Sequence, residues 1–127
     1  MGVFPLDRLP KINTLPASLI INTDPHNEPG EHWVAVYVNK NRIGIYFDSY
    51  GLQPLNKEIN NFLNIYCKCW TYNSTVIQGV TSVNCGQYCV LFVLLKSIGH
   101  SLFDIIKLFT KRFDINDKLV EKIYKIL

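Results

Sequence analysis

The sequence has little that would place it by composition alone. It contains one methionine and two tryptophans, and only 18% of its residues are charged. It has no run of about 20 apolar residues, so no membrane-spanning helix is expected. Pro5, Pro10 and Pro16 interrupt residues 1–20, leaving no basic segment followed by an apolar one, so a secretory leader is not expected. The four cysteines (67, 69, 85 and 89) form no CxxC pair and crowd into one third of the chain. That pattern suits neither a disulfide framework nor a common zinc site, so free thiols in an intracellular reducing compartment are expected, with no metal and no cofactor. A formal charge of +3 is too mild to argue for nucleic acid. Internal repeats, linkers and low-complexity segments are absent. The 127 residues are expected to form one domain, 1–127, able to bury a core without staples.

What is present is concentrated at residues 78–95, QGVTSVNCGQYCVLFVLL. From Cys85 to Leu95 the chain is apolar except for Gly86 and Gln87, which is enough for about three helical turns. The stretch predicts a core helix with a thiol at its N-terminus, where unpaired N–H groups favour the thiolate. Cys85 reads equally well as a reactive thiol or as a small buried residue. Gln78 lies before a loop that could bring its side-chain amide back towards Cys85. It reads either as half of an oxyanion hole, with the Cys85 backbone N–H as the other half, or as an exposed residue at a strand end.

Two β-prone runs, Trp33–Val38 and Ile43–Phe47, are joined by Asn39-Lys40-Asn41-Arg42 and predict an antiparallel hairpin buried on both faces. With the midpoint at Lys40, His32 stands opposite Asp48, within reach of an imidazole–carboxylate hydrogen bond. Such a pair fixes the tautomer and raises the pKa of a general base, although polar residues also flank strands for no chemical reason.

Elsewhere, Leu19-Ile20-Ile21 predicts a short strand, and residues 24–30, with His26, a solvent loop. Ile59, Phe62, Leu63 and Tyr66 predict an amphipathic helix over 57–66. Residues 67–77 predict a strand ending at Gln78, with Cys67 and Cys69 on one face as structural thiols. Gly99 predicts the end of the central helix, and a second helix is expected over 101–113. A third is expected over 116–127, capped by Asp114. The bases Lys107, Lys111, Arg112, Lys118, Lys122 and Lys125 predict a solvated face, since no exposed aromatics interleave them.

His, Asp, Gln and Cys, each at the end of a regular element, are the parts needed for acyl transfer through a thioester. In that order the chain resembles the adenovirus-type cysteine proteases, the adenains, within the wider clan of proteases that process ubiquitin-like proteins. The resemblance rests on Ile21-Asn22-Thr23, His32-Trp33, Asp48, and Gln78-Gly79 with Ser82, Cys85-Gly86 and Cys89. Gln78 stands seven residues before Cys85, the adenain spacing. The resemblance implies a papain-like permuted α+β fold, a mixed sheet packed on a central helix that carries Cys85. Cys85 would be the nucleophile, His32 the base, Asp48 its orienting acid and Gln78 an oxyanion donor.

It also implies protein or peptide substrates, viral or transposon-borne structural precursors among them, and a virion as an alternative location. DNA and an activating peptide would be partners, with Cys67 at the place of the peptide linkage. Two departures are visible: Asp48 stands where adenains have Glu, and the N-terminal helix is missing, so the fold is expected to be N-terminally shortened. The expected function is a cysteine endopeptidase. The rivals are a deconjugating protease for a ubiquitin-like modifier and an inactive interaction module.

Overall fold

The computed structural model describes residues 2–24, 32–79 and 82–126. His26 and most of its turn-rich segment therefore lie outside the described residues, as do Val80 and Thr81 and the last residue, Leu127. In chain order the elements are β1 Val3–Pro5, β2 Ala17–Asn22, β3 Trp33–Val38, β4 Ile43–Phe47, α1 Lys57–Tyr66, β5 Cys69–Tyr72, α2 Cys85–Ser97, α3 Leu102–Ile106 and α4 Phe113–Ile126.

The strands form one sheet in the order β1-β2-β3-β4-β5. The central pairs β2/β3 and β3/β4 are antiparallel and the edge pairs β1/β2 and β4/β5 are parallel, so the sheet is mixed. Alternation along β3 sends Val34, Val36 and Val38 to one face, against Ile59, Phe62 and Leu63 of α1. Ala35 points the other way, into a second cluster with Phe92 of α2, Ile105 of α3 and Val120 of α4. Both faces of β3 are thus buried, which is why its sequence is a continuous apolar run. The fold is mixed α+β, with α2 packed on the sheet as the composition of residues 85–95 predicts.

The hairpin differs from expectation in register. Paired residue numbers sum to 82, as in Ala35 with Phe47 and Val38 with Gly44, not to 80. The cause is Asn39, whose side-chain oxygen accepts from the N–H groups of Asn41 and Ile43, both at 2.9 Å. Its own N–H donates to Ile43 O at 3.0 Å, so Asn39 rather than Val38 closes the ladder. Arg42 takes the left-handed conformation that such a three-residue loop demands, at φ 62°.

Three further expectations are corrected. The strand predicted over 67–77 is confined to Cys69–Tyr72, so Cys67 is the C-cap of α1 and does not share a strand face with Cys69. The strand stops because the buried Asn73 turns its side chain onto the main chain of Asp48, just past β4. The second helix is only Leu102–Ile106, and the third begins at Phe113, so Asp114 lies in its first turn and is not its cap. The bond from Thr110 N–H to Asn116 Oδ1 (2.9 Å) ties the non-helical residues before Phe113 to the first turn of the third helix. Strand β1 has no counterpart in the sequence reading, because three residues ending in proline carry no strand periodicity. Lys107, Lys111, Arg112, Lys118, Lys122 and Lys125 are all exposed as expected, but so are two aromatics among them, Phe103 and Tyr124, contrary to the expectation that none interleave.

Candidate active site

Three elements end at one edge of the sheet, and each end carries a predicted residue. His32 directly precedes β3, Asp48 directly follows β4, and Cys85 is the first residue of α2. Phe47 stacks on Phe92 with centroids 4.6 Å apart, which fixes the end of β4 against the helix that begins at Cys85. Thr23, past the end of β2, holds the His32 carbonyl twice, through its N–H at 2.9 Å and its Oγ1 at 3.2 Å. The ends of β2, β3, β4 and α2 are therefore mutually braced.

His32 Nε2 lies 3.0 Å from Asp48 Oδ1. The paired ladder ends at Ala35 and Phe47, and Asp48 reaches the imidazole from just beyond it. The Tyr50 ring stacks on the imidazole at 4.9 Å, and its N–H donates to Asp48 Oδ1 at 2.8 Å. The remaining ring nitrogen, Nδ1, is left for Cys85. Burial alone would lower the His32 pKa, but hydrogen bonds to Asp48 and Cys85, and the charges of both, raise it to about 9. Burial would likewise raise the Cys85 pKa, but the His32 hydrogen bond and the N–H groups of Trp33 and Gly86 outweigh it and lower the value. Both shifts run in the direction of a thiolate–imidazolium pair. Asn84 makes no side-chain cap on α2, which leaves the first amides of the helix to the sulfur and to any ligand beside it. Cys89, one turn along, is fully buried and its thiol pKa is pushed well up, first by burial, so it is packing.

Gln78 is neither at a strand end nor exposed. It is fully buried, its Oε1 accepts a short hydrogen bond from Ser49 Oγ, and its Nε2 donates to Ser82 Oγ at 3.0 Å. Ser82 Oγ in turn donates to Asp117 Oδ1 at 3.1 Å, which also accepts from Tyr88 OH at 2.7 Å. The amide thus sits in a chain of polar groups running to α4, and it does not point openly at Cys85.

Asn73 is a residue that sequence reasoning missed. It is buried, and its side-chain amide pairs with the main chain of Asp48 in both directions, accepting from Asp48 N–H at 2.9 Å and donating to Asp48 O at 2.7 Å. It continues the β4/β5 ladder with a side chain and so sets where the carboxylate stands. Next to it Gly51, at φ +72°, comes so close to the chain that a Cβ would lie 2.8 Å from Thr75 C and Val76 N. That approach and that φ both demand glycine.

Comparison with known proteins bears on this arrangement. No family model matches the chain. Two crystal structures of a protease of the virus ASFV align with a TM-score of 0.55 at 22% identity, covering 78% of this chain and 40% or 39% of theirs. The fold is shared with a viral protease. In sequence, a protein of Acanthamoeba polyphaga mimivirus that carries the provisional name of a thiol protease is 30% identical over 97 residues. The match covers 68% of this chain and 32% of the mimivirus protein, so the chain spans about a third of that relative's length.

A cavity of about 500 Å³ opens beside Cys85, lined by Trp33, Tyr50, Gly86, Gln87 and Val90. Gln87 Oε1 is buried there without a hydrogen-bond partner among the described residues. Cys67 lies elsewhere, buried so tightly that a Cβ on Gly44 would run into its sulfur. Its thiol pKa is raised, first by burial. Of the two neighbouring thiols only Cys69 is exposed. Among the described residues no helix is long and apolar enough to cross a membrane, and no three His, Cys, Asp or Glu side chains group to hold a metal.

Proposed function

We propose that the chain is a cysteine endopeptidase of the adenain type, viral or transposon-borne, that hydrolyses peptide bonds in structural precursors with a Cys85–His32–Asp48 triad. The observation that carries this reading is geometric: His32 Nε2 stands 3.0 Å from Asp48 Oδ1 at the end of the β3/β4 hairpin, and Cys85 opens the helix packed against it. The Cys85 thiolate attacks the carbonyl carbon, and the helix N-terminus faces the oxygen as its charge develops. His32 gives its proton to the departing amine, then takes one from the water that hydrolyses the thioester. Asp48 keeps the ring in the tautomer this requires, and the stacked Tyr50 holds its plane.

The raised His32 pKa sets the upper limit of activity. The imidazolium is the acid for the leaving group, so kcat/KM should fall as pH rises through about 9. A steady-state pH profile with that limb near 7 would count against the assignment.

Gln78 completes the oxyanion hole by turning its Nε2 from Ser82 to the substrate oxygen. Gln78→Glu keeps an acceptor for Ser49 Oγ and removes the donor. It should lower kcat by about 10² to 10³-fold with little change in KM, the effect of losing one oxyanion donor. Unchanged kcat would make Gln78 purely structural.

The test of the proposed function is cleavage of a peptide library with Cys85 free and then alkylated. Cleavage that disappears with alkylation supports an endopeptidase. Reaction only with a probe ending in an intact ubiquitin-like modifier would replace it with a deconjugating protease. No cleavage, with Cys85 alkylating no faster than the exposed Cys69, would leave a non-catalytic module.

A further inference from the structure

A second cavity, of about 320 Å³, is lined by His32, Asp48, Tyr50, Leu52, Leu55 and Asn56 among others, whereas the first is lined by Cys85 and not by His32. Tyr50 lines both cavities and stands between them. We propose that this second cavity is the subsite for the leaving half of the substrate, and that it selects an apolar residue just C-terminal to the scissile bond. The inference rests on the peptidase reading above and gives that reaction a direction.

The direction comes from the chemistry. Acylation forms the Sγ–C bond and breaks the C–N bond, and the proton held between His32 and Cys85 ends on the departing nitrogen. That nitrogen, and the chain attached to it, must therefore lie on the His32 side. The acyl half then lies in the cavity at Cys85, whose wall includes Trp33, Gly86 and Val90. The walls of the His32-side cavity define the side chain accepted after the scissile bond. Leu52 and Leu55 are 53% and 77% exposed, an apolar pair left open in the same cavity as the imidazole. Among the described residues the one carboxylate in the wall, Asp48, is buried and already bound by His32 and Tyr50. With that carboxylate and the imidazole paired to each other, the exposed surface left by Leu52 and Leu55 rewards an apolar side chain over a charged one.

The test uses the whole chain and peptides that share one acyl half and carry Leu, Phe, Ser or Asp at the first two positions after the scissile bond. Each rate is taken relative to hydrolysis of a thioester of the same acyl half, which has no peptide leaving group. Wild type should favour Leu or Phe over Asp by about 10 to 100-fold in kcat/KM. Leu52→Ser with Leu55→Ser should cut that ratio about tenfold, mainly through KM. Both side chains are exposed, so the double variant should fold, which circular dichroism checks. Turnover without any preference, or a preference untouched by the double variant, overturns the subsite alone. Failure to turn over either peptide or thioester, with slow alkylation of Cys85, overturns the peptidase reading and the subsite together.

Discussion

Cys85→Ala should abolish peptide cleavage while leaving the fold intact. The loss in kcat should be on the order of 10⁶-fold, the size seen when the nucleophile is removed from a comparable catalytic triad. Only the sulfur is removed, at a position at the edge of the core, so thermal unfolding should shift little. The same variant reports on the imidazole. Two of the influences that raise the His32 pKa to about 9 come from Cys85, its hydrogen bond and its charge. Without them the titration of His32 followed by NMR should move down, towards the ordinary histidine range. A midpoint that stays near 9 in Cys85→Ala would mean that Asp48 alone holds the proton and that the thiolate is not its partner.

Asn73→Ala should produce the largest loss of stability of any change near the site. It strands the buried N–H of Asp48, an unsatisfied group worth about 1–3 kcal/mol, while the C=O keeps its bond from the Gly51 N–H at 2.8 Å, so unfolding should become easier by about 1–3 kcal/mol. Denaturant unfolding measures this. Activity should fall as well, by about 10²-fold at a temperature where the variant is folded, because a carboxylate displaced by about 1 Å no longer aligns the imidazole. A variant within about 0.5 kcal/mol of wild type and fully active would show that Asn73 merely fills space. Asn73→Asp separates the two roles, since it keeps an acceptor for the Asp48 N–H but places a second carboxylate beside the first.

The parts of the fold legible in sequence are those written in local periodicity. Helix α1 runs over Lys57–Tyr66, where Ile59, Phe62 and Leu63 mark its buried face. Helix α2 begins at Cys85, where the polar loop gives way to an apolar run. The rest depends on side chains that bond across the chain or inside a turn, where periodicity carries no signal. The hairpin register is shifted by Asn39, an asparagine among several in a turn. The end of β5 is set by Asn73, which pairs with a residue 25 positions earlier. The chain from Gln78 through Ser82 to Asp117 links positions up to 35 apart, so no window of sequence displays it.

The site divides in the same way. His32, Asp48 and Cys85 could be read because each ends a periodic element, and the structure brings the three together. Tyr50 carried no signal in sequence, since it lies in the turn after β4 and reaches the imidazole only through its ring. Gln78 was legible as a residue near the loop, but not as a buried group bonded on both sides. Leu52 and Leu55 read as spacer residues before α1, and only the cavity beside His32 gives them a use.

The measurement that tests the thiolate–imidazolium pair most directly is the rate of Cys85 alkylation by iodoacetamide as a function of pH, read residue by residue by mass spectrometry. The lowered Cys85 pKa predicts a rate whose midpoint lies below the ordinary thiol value of about 8.5. Asp48→Ala should raise that midpoint, by removing a group that keeps His32 protonated. A Cys85 rate that climbs through pH about 8.5 like that of a short unstructured cysteine peptide, and ignores Asp48→Ala, would contradict the pair and the mechanism built on it.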